Sequence, residues 1–75
     1  MIQRFGEKLR LLRKRHRMTQ KELADHLGFT ARSYVSMLES GEREPSGEVV
    51  LRVSQVFGVS ADRLLQDALE LEDPS

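Results

Sequence analysis

TQKELADHLGFTARSYVSMLESG, residues 19–41, decides the fold, because it reads as two short helices joined by a tight turn at Gly28. Thr19 caps the first helix. Glu22, three residues on, completes a capping box in which each side chain satisfies a free backbone N–H of the other residue. Leu23, Ala24 and Leu27 then fall on one helical face, and Gly28 supplies the left-handed residue that ends a helix cheaply. The spacing predicts this helix over about 19–27 and its successor over about 31–40. Thr30 is the expected cap of the second, Val35 and Leu38 its buried stripe, and Gly41 its stop. Arg32, Ser33, Ser36 and Met37 are left facing outward.

The same punctuation extends in both directions. A helix from about Ile2 to His16 places Ile2, Phe5, Leu9 and Leu12 on its inner face and ends before Met18. Beyond Gly41, Glu42-Arg43-Glu44-Pro45-Ser46-Gly47 is loop chemistry, with the residue before Pro45 pushed out of helical geometry. Ser46 caps a fourth helix that buries Val50, Val53 and Phe57 and stops at Gly58. Ser60 caps a fifth, built on Leu64, Leu65, Ala68 and Leu69. No strand pattern or internal repeat occurs, so the expected fold is all-α, a compact five-helix bundle over residues 1–69. Residues 70–75 form an acidic tail containing Pro74 that is expected to fray.

Seventy-five residues make one small domain, whose single core supplies only about 3–5 kcal/mol, so a dimer is expected on stability grounds. The chain has no cysteine, which excludes disulfides and thiolate metal sites. His16 and His26, with no carboxylate set at ligand spacing, are too few for a metal centre. No nucleophile stands with a base and a chain this size has no room for a substrate cleft, so neither an enzyme, a cofactor nor a small-molecule ligand is expected. The lack of a long apolar run or signal-peptide pattern points to a cytoplasmic protein without a membrane partner.

A net charge of zero hides an asymmetry. Residues 1–21 hold Arg4, Lys8, Arg10, Arg13, Lys14, Arg15, Arg17 and Lys21 against Glu7 alone, an excess of seven positive charges. The remainder is seven units negative. Affinity for nucleic acid rests on neutralised phosphates, and here distribution outweighs the sum. The alternative is that the basic helix is a solvated face complementing the acidic tail.

Two helices joined by a short glycine turn are the layout of a helix-turn-helix, whose second helix lies in the DNA major groove. The chain resembles the Xre and lambdoid-repressor (Cro/C1-type) family over about residues 4–66. The resemblance is carried by Leu12-Arg13, Thr19-Gln20-Lys21-Glu22-Leu23-Ala24, Ser33-Tyr34-Val35-Ser36, Leu38-Glu39-Ser40-Gly41, Pro45-Ser46 and Phe57-Gly58-Val59-Ser60. It implies a lambda-repressor-like DNA-binding domain. One departure stands out: Gly28 and Gly41 are thirteen residues apart, one more than the family's common pattern, so positions carry over by counting back from Glu39-Ser40-Gly41.

Counted that way, Arg32, Ser33 and Met37 match the positions that reach base edges. An arginine there can donate twice to guanine O6 and N7, or bind a phosphate without reading sequence. Met37 offers apolar contact to a thymine methyl, or fills the core's edge. Gln20, Lys21, Arg17, Tyr34, Ser36, Ser40 and Arg43 are the phosphate candidates, by family position or by nearness to helix ends; such contacts set register without choosing sequence. Glu42 and Glu44 beside Arg43 repel the backbone and lower affinity for random DNA. Arg13 and Glu39 match the family's ion pair between the first and third helices, a structural role.

The resemblance implies a sequence-specific regulator of transcription, a repressor that binds double-stranded DNA as a homodimer on a palindromic operator and is nucleoid-associated. Leu51, Val56, Leu65 and Leu69 exceed what a small core needs, and members of the family often pair through their last helices, so these four are the expected dimer surface. The alternative is a protein-interaction module, an antitoxin or polymerase-binding co-regulator, gripping its partner through the acidic, leucine-containing end from Asp62 to Asp73.

Overall fold

The computed structural model describes residues 4–66. It holds five helices: α1 Phe5–Arg15, α2 Gln20–Leu27, α3 Arg32–Ser40, α4 Gly47–Phe57 and α5 Ala61–Leu65. Ile2, Ala68 and Leu69, expected in the core, and the acidic tail lie outside the described residues.

The predicted caps appear at three of the helix starts. Thr19 Oγ1 accepts the Glu22 N–H at 3.1 Å while Glu22 Oε1 accepts the Thr19 N–H at 2.9 Å, closing the capping box. Ser46 and Ser60 accept from Val49 and Arg63 in the same way. Gly28, Gly41 and Gly58 all take left-handed conformations at the helix ends, which costs glycine nothing.

One helix start departs from expectation. Thr30 does not cap α3. Ala31, one residue further on, holds that position in an extended conformation, and its methyl side chain has no acceptor to offer. The first turn of α3 therefore keeps uncapped N–H groups and contains no acidic residue. At the end of α1 it is Arg17, not a glycine, that takes the left-handed position, at φ 55°. Its N–H donates to the Lys14 carbonyl and that of Met18 to the Arg13 carbonyl, each at 3.0 Å, so the helix closes as it would around glycine.

The core unites Phe5, Leu9 and Leu12 of α1, Leu23, Ala24 and Leu27 of α2, Val35 and Leu38 of α3, Val49, Val50, Val53 and Phe57 of α4, and Leu64 of α5. Leu65 does not join them. It is 38% exposed, and α5 ends there as Gln66 turns extended.

Two residues of α1 explain how such short helices pack. Lys8 lies on the same stripe as Phe5, Leu9 and Leu12 and is buried with them. Its ammonium donates to the carbonyls of Arg63 and, at 2.8 Å, Gln66. A cation thus meets the negative end of α5 and satisfies carbonyls that a helix end leaves open. Gly6 lets α1 approach the backbone of α3. A Cβ there would fall inside van der Waals contact of the Leu38 and Glu39 carbonyl oxygens.

Those neighbours are backbone, so they cannot swing aside. Gly6→Ala is expected to cost about 1–3 kcal/mol, overpacking outweighing the gain in helix propensity; an unchanged or raised midpoint in urea unfolding would contradict this contact.

The capping box also makes stability depend on acid. The Thr19 backbone N–H, helped by its hydroxyl, holds the Glu22 carboxyl below its ordinary value. Its folded value is depressed, so the charged cap stabilises fully above the unfolded glutamate value of about 4.3 and this contribution is lost as pH falls through the lower folded value. Glu22→Gln is expected to be less stable than the parent at neutral pH, with the gap closing below about pH 4. Urea unfolding at a series of pH values checks it, and a gap constant down to pH 2 would be the contrary result.

Candidate nucleic-acid interface

A helix presents a surface to a ligand usefully only if it is held rigidly, and α3 is anchored through Glu39. Arg13 Nε donates to Glu39 Oε2 at 2.7 Å and Nη2 to Oε1 at 3.2 Å, a two-pronged pair. The guanidinium's remaining arm, Nη1, donates to the Met18 carbonyl at 2.9 Å. Gln20 Nε2 reaches the same Glu39 Oε1 at 3.3 Å. The side chains of the pair are only 13% and 6% exposed. One carboxylate thereby ties together the end of α1, the turn before α2, the start of α2 and the end of α3. The predicted Arg13–Glu39 pair is present, and Gln20 belongs to it. One Gln20 amide N–H stays available to a ligand, since Nε2 carries two.

The opposite side of α3 faces solvent. Arg32, Ser33, Ser36 and Ser40 are exposed. Among the described residues the side chains of Arg32, Ser33 and Ser36 make no hydrogen bond or ion pair, so their donors are unspent. Met37 is half-buried rather than fully outward. Ser40 Oγ turns back to donate to the Met37 carbonyl at 3.1 Å and accepts the Glu42 N–H.

An aromatic stack flanks this surface. The ring centres of Phe29 and Tyr34 are 4.1 Å apart, and the Arg43 guanidinium carbon lies 4.6 Å from the Tyr34 centre. Tyr34 is half-buried, packed with Phe29 against the core. Lys21 and Arg17 are exposed, Lys21 loosely paired with Asp25 at 3.8 Å. Of the candidate pairing residues, Leu51 is 55% exposed, Leu65 is exposed, Val56 is half-buried against the core, and Leu69 lies outside the described residues.

The structure therefore groups Arg32, Ser33 and Ser36 on one open face, with Gln20 beside Glu39 at its end and Arg43 on the flank. Sequence reasoning missed Phe29, Gly6 and Lys8. Lys8 carried a signal, since it interrupts an apolar stripe at helical spacing; Gly6 carried one as a glycine among helix formers. Among the described residues no three His, Cys, Asp or Glu side chains assemble as a metal site, and no helix is long and apolar enough to cross a membrane.

The model of the Helix-turn-helix family matches residues 9–64. The chain is 39% identical over 62 residues to an uncharacterized HTH-type transcriptional regulator, YqaE, of Bacillus subtilis, covering 83% of this chain and 53% of that protein. It spans about half the length of the curated relatives it matches. Its fold superimposes on the P22 c2 repressor in complex with a synthetic operator with a TM-score of 0.78, at 34% identity over 85% of this chain and 96% of that one. The N-terminal DNA-binding domain of SinR from Bacillus subtilis gives a TM-score of 0.77 at 32% identity, covering 89% and 97% of the two chains.

Removing either half of the Arg13–Glu39 pair strands a nearly buried charge. Arg13→Ala and Glu39→Ala are each expected to cost about 3 kcal/mol, with the double variant well short of their sum, a coupling of about 1–3 kcal/mol. Additive losses in a denaturation cycle would show that the pair is not what anchors α3.

Proposed function

The chain belongs to the Xre (Cro/C1-type) helix-turn-helix family of DNA-binding transcriptional regulators, which are not enzymes, and on that premise we propose that it reads a specific duplex sequence as a dimer and represses transcription there. The observation that carries this reading is the exposed face of α3, whose Arg32, Ser33 and Ser36 side chains have no partner among the described residues while the helix behind them is anchored through Glu39. Arg32 and Ser33 open the helix, where recognition helices meet base edges. Arg32 donates two hydrogen bonds to guanine, Ser33 adds a polar contact and Met37 an apolar one. Gln20, Lys21, Arg17, Tyr34, Ser36, Ser40 and Arg43 hold phosphates around it.

Pairing through Leu51, Val56, Leu65 and Leu69 sets two recognition helices about 34–36 Å apart, in successive major grooves on one face of a palindromic operator. The exposure of Leu51 and Leu65 supports that surface. The protein acts at the nucleoid in the cytoplasm.

Selection from a random duplex library at physiological salt, followed by sequencing, tests the whole reading. A palindromic motif is expected from the parent chain. Arg32→Ala is expected to relax one symmetric position, a loss of about 1–3 kcal/mol of discrimination, and Leu65→Glu to reduce the motif to a half-site. Recovery of no motif by a folded protein would overturn it and turn attention to a protein partner of the acidic end.

A further inference from the structure

Arg43 stands in the loop after α3, flanked by Glu42 and Glu44, where a long side chain would be expected to fold onto a carboxylate or wander in solvent. It does neither. Its guanidinium lies over the Tyr34 ring, that ring packs on Phe29, and among the described residues the guanidinium makes no ion pair or hydrogen bond. Its backbone N–H is held too, donating to the Met37 carbonyl at 3.3 Å.

A guanidinium over an aromatic face is attracted by the ring's negative quadrupole, a contact that does not itself require its five N–H donors to find protein acceptors. The contact holds the cation at the ring, and with no hydrogen bond or ion pair to it among the described residues its N–H donors are available to a ligand. Phe29 is well placed to found such a stack. Its N–H donates to the Ala24 carbonyl at 2.8 Å as α2 closes around Gly28, and its ring is seated against the core. The ring thus belongs to the rigid body of the domain, and through Tyr34 it extends that rigidity to a loop arginine.

We propose that Phe29, a residue of the longer turn, is a positioning residue of the DNA interface: through Tyr34 it holds the Arg43 guanidinium preorganised for a backbone phosphate and clear of Glu42 and Glu44. The inference rests on the DNA-binding reading above and deepens it. Ordering a flexible side chain before the ligand arrives removes an entropic cost from binding, and a phosphate contact made this way adds affinity without adding sequence preference.

The test is equilibrium binding of the full chain to a random-sequence duplex of about 20 base pairs, over a salt series, because each phosphate contact contributes about 0.9 to the slope of log K against log salt. Arg43→Ala is expected to lower that slope by about 0.9. Phe29→Leu, which keeps an apolar anchor but removes the ring, is expected to lose part of the same slope and to bind about 2- to 10-fold more weakly. Combined with Arg43→Ala it is expected to add nothing further. Tyr34→Leu is the second variant, expected to lose the same part of the slope and, beyond it, the affinity of its own hydroxyl for phosphate, whereas Tyr34→Phe keeps the ring and is expected to keep the slope; helical circular dichroism confirms that each is folded. Tyr34 is the sole tyrosine of a chain without tryptophan, so its emission reports the stack directly and is expected to change in both Arg43→Ala and Phe29→Leu. A folded Phe29→Leu with parental slope and affinity, or losses that add to those of Arg43→Ala, overturns the positioning role while leaving DNA binding intact. A parent chain that fails to bind duplex at low salt overturns the DNA reading itself, and the positioning role with it.

Discussion

The structure depends on one carboxylate. Glu39 sits near the end of α3 with its side chain almost closed to solvent, and it receives hydrogen bonds from Arg13 and Gln20 while Arg13 also grips the Met18 carbonyl. A charge so placed is costly unless fully partnered. Each partner comes from a different part of the chain, so the energetic demand of one group becomes a geometric demand on three helices. Gly6 meets that demand sterically, since only a residue without a side chain lets α1 lie against the carbonyls at the same end of α3. The surface on the far side of α3 inherits its rigidity from this junction.

Electrostatics elsewhere follow the same economy. The basic excess of the first twenty-one residues does not all face outward: Arg13 serves the junction and Lys8 closes the end of α5. What remains exposed includes Arg10, Lys14, Arg15 and Arg17. Counting charges along the chain therefore overstates the cationic surface, because two of those charges are used internally as hydrogen-bond donors.

The proposed interface divides in the same manner into parts held and parts left free. Arg32 has open donors on a helix anchored through Glu39, whereas Arg43 sits on a loop with its guanidinium over the Tyr34 ring. The first arrangement suits a contact that discriminates between bases, for which small displacements matter. The second suits a phosphate, which accepts hydrogen bonds from many directions.

Much of this was legible in the sequence because caps and stops are local chemistry. Thr19, Glu22, Ser46 and Ser60 bond to backbone within three residues, and glycines at 28, 41 and 58 adopt conformations that need no tertiary support. Apolar residues at helical spacing gave the core for the same reason, and the Arg13–Glu39 pair came from family pattern. Tertiary structure decided the rest wherever a residue's role depends on something distant in the chain. Ala31 rather than Thr30 stands at the N-terminal cap of α3, a one-residue shift within the turn. Lys8 is buried because carbonyls fifty-five and more residues away await it, and Leu65, the last residue of α5, is exposed where Leu64 beside it is buried. The stack of Phe29, Tyr34 and Arg43 draws on a turn, a helix and a loop. Short-range hydrogen bonding is written in the order of the residues, but burial and stacking are settled only when the helices meet.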